Sequence, residues 1–296
     1  MNQLVVVAND DYFFMLKWCL ASFFTYHRRN DWNVIFLDVG CSPSTRSILE
    51  RIGQCVSYPP HRAANSQGLV FPAAFARLAS LSEHVPDQGI YLYVDTDSLF
   101  FASLDPLIRQ FRQSGIPLAI AVEDDPGFRL APMWESWIGE IPREFIGQHR
   151  WRDLPILNTG MLLAQGSQLR PLADFAQRLY ALYRDRLQYA EQSLLASLIY
   201  EWEVPYLNIP HHVHCFAREQ YVSQDRPGRR YVDAAPVYNG HLVTMRHFCA
   251  NSKGVLGRLR PQLDEKYEHR FSRLQVESLP KQHKRDHCLV PSGHQE

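Results

Sequence analysis

Four short apolar runs constrain the fold of this chain more than any other feature: LVVVA (4–8), NVIFL (33–37), IYLYV (90–94) and PLAIAV (117–122). Each is rich in β-branched or aromatic residues, too short for a buried helix, and stops at a polar or acidic residue. An unbroken apolar run of this length marks a strand buried on both faces. Between the runs lie helical patterns: 12–26, 42–53 behind a Ser with Pro next to it, and 72–84. Asp10 and Asp11 stand where they would suit the dipole of the first helix. A short strand is expected at 54–60, another at 155–164, amphipathic helices at 170–187 and 191–202, and turns with late strands at 231–248. This alternation predicts an α/β fold with a mainly parallel central sheet flanked by helices. Ligands gather at the carboxyl ends of strands in open sheets of this kind. Asp10, Asp95, Asp97, Asp124 and Asp125 all fall at such ends.

Composition narrows the function classes. The 296 residues, 46% of them hydrophobic, can bury a large core. Lys+Arg and Asp+Glu number 31 each, so the basic surplus of a protein that grips long nucleic acid is missing. Six cysteines without C-x-x-C spacing argue against a zinc site or disulfide framework, and for reduced thiols in the cytoplasm. The apolar opening lacks a basic start and is interrupted by Asp10 and Asp11, and no other segment reaches membrane-spanning length. After Leu256 the chain turns polar and basic. The expected division is therefore one domain over 1–256 and a partly disordered extension over 257–296, whose charge offers a peripheral contact to anionic lipid.

The stretch YLYVDTDSLF (91–100) carries the chemistry. Two carboxylates one residue apart at a strand end can hold a divalent cation, and hard oxygen ligands suit Mg²⁺ or Mn²⁺; the plain alternative is an acidic turn that caps the next element. Three enzyme classes write such a line: family B DNA polymerases, haloacid-dehalogenase-like phosphohydrolases, and metal-dependent sugar transferases. A polymerase needs a longer chain, a second acidic motif and a basic cleft. A phosphohydrolase places its nucleophile on the first strand, whereas here strand and helix units precede Asp95, and Asp97 and Asp124 are too close for its intervening motifs.

Blocks far from the acidic turn favour the third class. VVVANDDYFFMLKWCLASF, FARLASL, YLYVDTDSLFFASLDPL, LNTGMLLA, EQSLLASLI and HFCANSK occur in that order over residues 4–255. Together they resemble glycosyltransferase family 8, the retaining GT-A group of glycogenin and bacterial lipooligosaccharide galactosyltransferases. The resemblance implies the GT-A nucleotide-diphospho-sugar transferase fold and transfer of a hexose from a UDP-sugar to a glycan, lipid-linked saccharide or protein. It implies a site in which Asp95, Asp97 and His247 hold the metal. The imidazole leans toward Mn²⁺ over Mg²⁺. Ala8, Asn9, Asp10 and Tyr12 correspond to the nucleotide turn, with Asp10 toward the uracil N–H and Tyr12 against the base. Arg77, Thr96 and Lys253 match donor-binding positions, with Lys253 on the diphosphate. Asp125, Asn158 and Gly160 correspond to sugar contacts, Gly160 by close approach. Glu191 and Gln192 replace the family's D-Q pair, with Gln192 beneath the anomeric carbon.

Each residue also has an ordinary reading: Asp10 as a helix cap, Arg77 and Lys253 as surface cations, His247 as a packing histidine. The family's late glycine is Ala250 here, and Gly254 and Val255 follow the lysine in place of Pro-Trp. These departures put the donor sugar in question and leave a degenerate sugar-nucleotide binder as an alternative beside the phosphohydrolase. The Trp-rich stretch (Trp134, Trp137, Trp151) fits either acceptor stacking or core anchoring. His211, His212 and His214 lack a carboxylate or Cys partner at ligand spacing and read as a loop.

Overall fold

The computed structural model describes residues 1–58, 72–123, 154–183, 190–217, 221–223, 234–249 and 253–277. Asp124, Asp125, the three tryptophans of the Trp-rich stretch and Ala250 lie outside the described residues. The main sheet contains seven strands in the order β3-β2-β1-β4-β7-β6-β8. They are β1 (Asn2–Ala8), β2 (Trp32–Asp38), β3 (Gln54–Ser57), β4 (Tyr91–Val94), β6 (Leu118–Val122), β7 (Leu157–Ala164) and β8 (Tyr206–Asn208). All run the same way except β7, which pairs antiparallel with both β4 and β6. A second sheet joins β5 (Ser98–Phe100), β12 (Met245–His247) and β9 (His214–Cys215). A hairpin of β10 (Val237–Tyr238) and β11 (His241–Leu242) completes the strands described.

The apolar runs are continuous because both faces of the sheet are covered, and the two-residue period of a strand divides them between two cores. Leu4, Val6, Phe36, Leu92 and Val94 face one core; Val5, Ile35, Leu37, Tyr91 and Tyr93 face the other. The first core is closed by α1 (Phe13–Tyr26) and α4 (Asp105–Ser114), the second by α3 (Pro72–Glu83), α5 (Arg170–Tyr183) and α6 (Ala190–Glu201). The helix α2 (Pro43–Glu50) packs beside β3. The mainly parallel sheet expected from the runs is thus present, with β5, α4, β8 and β9 added to the elements read from sequence.

The C-terminal segment differs from its composition. The helix α7 runs unbroken from Lys253 to Glu277, so the change in composition after Leu256 falls inside one element. Its residues Val255, Leu256, Leu259, Leu263, Tyr267, Phe271 and Leu274 are buried in the first core. Their recurrence every three or four residues makes a narrow apolar stripe that the abundant charges mask. The stripe lies on α1: Phe13 and Phe271 meet edge to face, Trp18 Nε1 donates to Asp264 at 3.0 Å, and Lys17 pairs with Glu268 at 2.6 Å. Each fully buried large apolar side chain contributes about 1.5–3 kcal/mol, which anchors the helix. Residues 278–296 lie outside those described. No described helix is long and apolar enough to cross a membrane.

The turn after β1 also differs. Asn9 Oδ1 accepts the Tyr12 N–H at 2.8 Å, and α1 starts at Phe13 with no acid in its first turn. Asp10 does not cap α1. Its carboxylate accepts the backbone N–H and the hydroxyl of Ser42, each at 3.1 Å, at the start of α2.

Candidate functional site

The β4 strand ends at Val94, and there the chain passes from one sheet to the other. The Asp95 N–H donates to the Gly160 carbonyl at 2.9 Å, a last tie to β7; three residues later Ser98 enters β5. Because β7 runs backwards, its beginning, Asn158–Gly160, stands at the same edge as the end of β4. The antiparallel register of β5 and β12 sets Ser98 opposite His247, and the Phe248 N–H donates to the Asp97 carbonyl at 2.9 Å. Sheet register therefore delivers His247 to the acidic turn.

His247 Nε2 lies 3.4 Å from Asp95 Oδ2 and 3.3 Å from Asp97 Oδ1. Ligand atoms of the three residues all fall within 4.8 Å of one another, a span one cation can bridge. Asp97 and His247 are buried and Asp95 is half-buried. The orientation of Asp95 is fixed from behind. Its Oδ1 accepts from Arg77 Nη2 and from the Tyr93 hydroxyl, both at 2.6 Å, while Oδ2 faces His247. Arg77 is itself held, with Nη1 on the Thr159 hydroxyl at 2.5 Å and its guanidinium 4.7 Å above the Tyr93 ring. Charge-assisted bonds of this type are about twice as strong as neutral ones. Burial pushes the Tyr93 phenol well above its ordinary pKa, so it stays a donor.

The surroundings carry negative potential. Burial first, and then Asp97 and Asp95, push the Cys19 thiol upward. Burial followed by Asp97 pushes Cys249 up to about 12. Both thiols are thus neutral at physiological pH, chiefly through burial, and the carboxylate field that adds to this effect favours a cation.

Gly160 has a structural role beside the sugar contact expected of it. A Cβ built there would overlap the His247 ring, so the missing side chain makes room for the imidazole. The pairing of β6 with β7 shifts register beside it, and Asn158 Oδ1 accepts the Gly160 N–H at 3.0 Å, satisfying a donor that the interrupted ladder leaves over. Arg77 likewise supports Asp95, beside the donor contact expected of it.

The remaining residues spread along the same edge. Ala8 is buried at the end of β1; Asn9 is half-buried, and Asp10 and Tyr12 are exposed. The Thr45 hydroxyl first, and then the Ser42 N–H, hold the Asp10 carboxyl below its ordinary pKa. Gln192 is half-buried in the first turn of α6, which packs against β7. Thr96 sits in the turn between the two aspartates, half-buried. For Glu191 and Lys253 the backbone is described and the side chain is not; Asp125 lies outside the described residues.

Sequence reasoning missed Tyr93, Thr159 and His214. The two-residue strand period places Tyr93 on the side of Asp95, a signal that was available. The three histidines of PHHVHC form no shared cluster: His211 contacts the Val122 carbonyl, His212 stacks on His241, and His214 alone reaches the site. His214 is fully buried, its Nε2 is 3.3 Å from His247 Nδ1, and burial pushes its pKa well below the usual range, with His247 the next cause.

No protein-family model matches this sequence, and no curated protein sequence is similar to it. Solved structures are. A galactosyltransferase LgtC in complex with donor and acceptor sugar analogues is 19% identical over 93% of this chain and 95% of that one, with a TM-score of 0.55. Mouse xyloside xylosyltransferase 1 is 15% identical over 85% of this chain and 99% of that one, with a TM-score of 0.52. The glycosyltransferase GlyE of Streptococcus pneumoniae TIGR4 is 15% identical over 93% of this chain and 62% of that one, with a TM-score of 0.55. At these identities the likeness shows the fold, which is that of the GT-A glycosyltransferases.

Proposed function

We propose that this protein is a retaining glycosyltransferase of family 8, which moves a hexose from a UDP-sugar to a glycan, lipid-linked saccharide or protein acceptor with the help of Mn²⁺. The observation that carries the reading is the meeting of Asp95, Asp97 and His247 at the carboxyl edge of a GT-A sheet. The donor set fits a divalent cation: two hard carboxylate oxygens, one imidazole nitrogen, and a glycine that leaves space for the ring. When bound, the cation would supply positive charge to the diphosphate of the leaving nucleotide.

The chain's own residues then have defined tasks. Arg77 and Tyr93 hold Asp95 so that Oδ2 stays directed at the site. Asn9 shapes the turn after β1, where Ala8, Asp10 and Tyr12 take the uridine, Tyr12 by stacking and Asp10 by accepting from the base. Lys253 stabilises the negative charge that develops on the departing diphosphate. Asp125 and Asn158 receive sugar hydroxyls, and Gln192 lies under the anomeric carbon. An amide there offers no carboxylate for a covalent intermediate, which favours attack from the leaving-group face. The bond from the anomeric carbon to the phosphate oxygen breaks, the acceptor oxygen bonds on the same face, and the acceptor proton passes to the departing phosphate oxygen. Glu191 is the group that would make a double displacement workable instead. The five cysteines among the described residues form no disulfide with one another, which accords with a cytoplasmic setting, and the basic end of the chain offers contact with a membrane-bound acceptor.

The test is donor hydrolysis across a panel of UDP-sugars with Mn²⁺, in wild type and Asp97→Ala. Wild type is expected to hydrolyse one donor slowly and Asp97→Ala none; hydrolysis by the variant at the wild-type rate would overturn the assignment.

A further inference from the structure

His214 has no place in the scheme above, yet it is fully buried against one of its central residues. Its Nε2 is 3.3 Å from His247 Nδ1, and the rings stack with centroids 5.4 Å apart. The contact is built by register: β9 and β12 pair in parallel with Met245 opposite His214, and the Met245 N–H donates to the Val213 carbonyl at 3.0 Å. Its other nitrogen, Nδ1, is buried without a hydrogen-bond partner.

Two tautomeric arrangements satisfy the contact. If His214 donates from Nε2, His247 must accept at Nδ1, so the neutral His247 carries its proton on Nε2, between Asp95 and Asp97. No lone pair then faces the carboxylates. If His247 donates from Nδ1, its Nε2 lone pair faces Asp95 Oδ2 and Asp97 Oδ1, and the proton of His214 sits on the partnerless Nδ1. The second arrangement leaves a buried N–H unsatisfied, which is disfavoured unless something at the other side of His247 selects it.

We propose that His214 is a positioning residue for the cation site: once a cation draws on His247 Nε2, His214 accepts the Nδ1 proton of His247 and so holds the tautomer in which Nε2 stays free to bind the metal. This rests on the reading of Asp95, Asp97 and His247 as cation ligands. Partners of this kind set the tautomer and ring orientation of metal-binding histidines. Here the partner is a second imidazole, which can reverse its role. Without cation the pair adopts the first arrangement, and on cation binding both protons move to Nδ1 with the number on the pair unchanged.

The experiment titrates Mn²⁺ alone into the full chain by calorimetry, without donor or acceptor, comparing wild type with Asp97→Ala, His214→Phe and His214→Gln. His214→Phe keeps a planar ring and removes the acceptor; Mn²⁺ affinity is expected to fall about tenfold to a hundredfold. His214→Gln returns an acceptor near the Nε2 position and is expected to recover most of that loss, which a purely packing role would not allow. Nitrogen NMR of ¹⁵N-histidine wild type with diamagnetic Zn²⁺ reads the tautomers without any substitution. The expected spectrum of the loaded protein has protons on Nδ1 of both His247 and His214. If Asp97→Ala loses Mn²⁺ but His214→Phe binds it like wild type, or if loaded His214 keeps its proton on Nε2, the proposal fails while the cation site stands. If wild type binds no Mn²⁺, both fail.

Discussion

Two turns at the carboxyl edge of the sheet are built differently. At the acidic turn, the carboxylate of Asp95 is gripped by Arg77 and Tyr93, His247 packs against Gly160, and Asp97 and His247 are buried. At the turn after β1, Asp10 and Tyr12 are exposed, and Asp10 is tied to Thr45 and Ser42 at the head of α2. The contrast teaches that one turn is organised before any ligand arrives, whereas the other keeps its side chains at the surface. A cation needs its ligands preassembled, because bringing carboxylates together without it costs energy; a planar base can be met by a side chain that settles on it.

Arg77→Met breaks the preassembled turn most severely. Removing one partner of a buried ion pair costs about 3–5 kcal/mol, and the partial exposure of Asp95 places this pair at or below the low end. Thermal unfolding should show the loss, and Mn²⁺ should restore part of it by neutralising the stranded carboxylate; no rescue by Mn²⁺ would contradict the link between Arg77 and the cation site. Gly160→Ala forces a methyl into the His247 ring, an overpacking cost of about 1–3 kcal/mol. Calorimetric Mn²⁺ affinity should fall with it, whereas a sugar-contact role for Gly160 alone would leave Mn²⁺ binding intact.

Tyr93→Phe is milder, at about 0.5–1.5 kcal/mol for one hydrogen bond, and should lower the melting temperature less than Arg77→Met. At the open turn, Asp10→Asn should leave stability at neutral pH almost unchanged and weaken UDP binding. The folded pKa of Asp10 is depressed, so the small stabilisation it gives is present above the unfolded value of 3.8 and is lost as pH falls through the folded value. The difference in melting temperature between wild type and Asp10→Asn should therefore vanish in acid.

What the sequence revealed follows the same divide between local and remote. The strands β1, β2, β4 and β6 were legible because burial on both faces leaves an unbroken apolar run, and the acids at their ends marked the working edge. The reversal of β7 left no local trace, although it carries Asn158 and Gly160 to that edge. The approach of His247 to Asp97 was visible through family resemblance and not through spacing, since it depends on β5 and β12, three residues each, pairing across the chain. The docking of α7 was hidden because its apolar stripe is narrow, recurring every three or four residues, and the positions between are mostly charged or polar. Asp10 was assigned to the wrong helix for a related reason: a carboxylate one turn from α1 in sequence is nearer to the head of α2 in space.

Anomalous diffraction from crystals grown with Mn²⁺ and UDP tests the central claim most directly. The account predicts one manganese peak bonded to Asp95 Oδ2, an oxygen of Asp97 and His247 Nε2, with diphosphate oxygens completing its coordination. A manganese ion bound to the UDP with His247 outside its coordination sphere, or no ion between the two aspartates at saturating Mn²⁺, would contradict it.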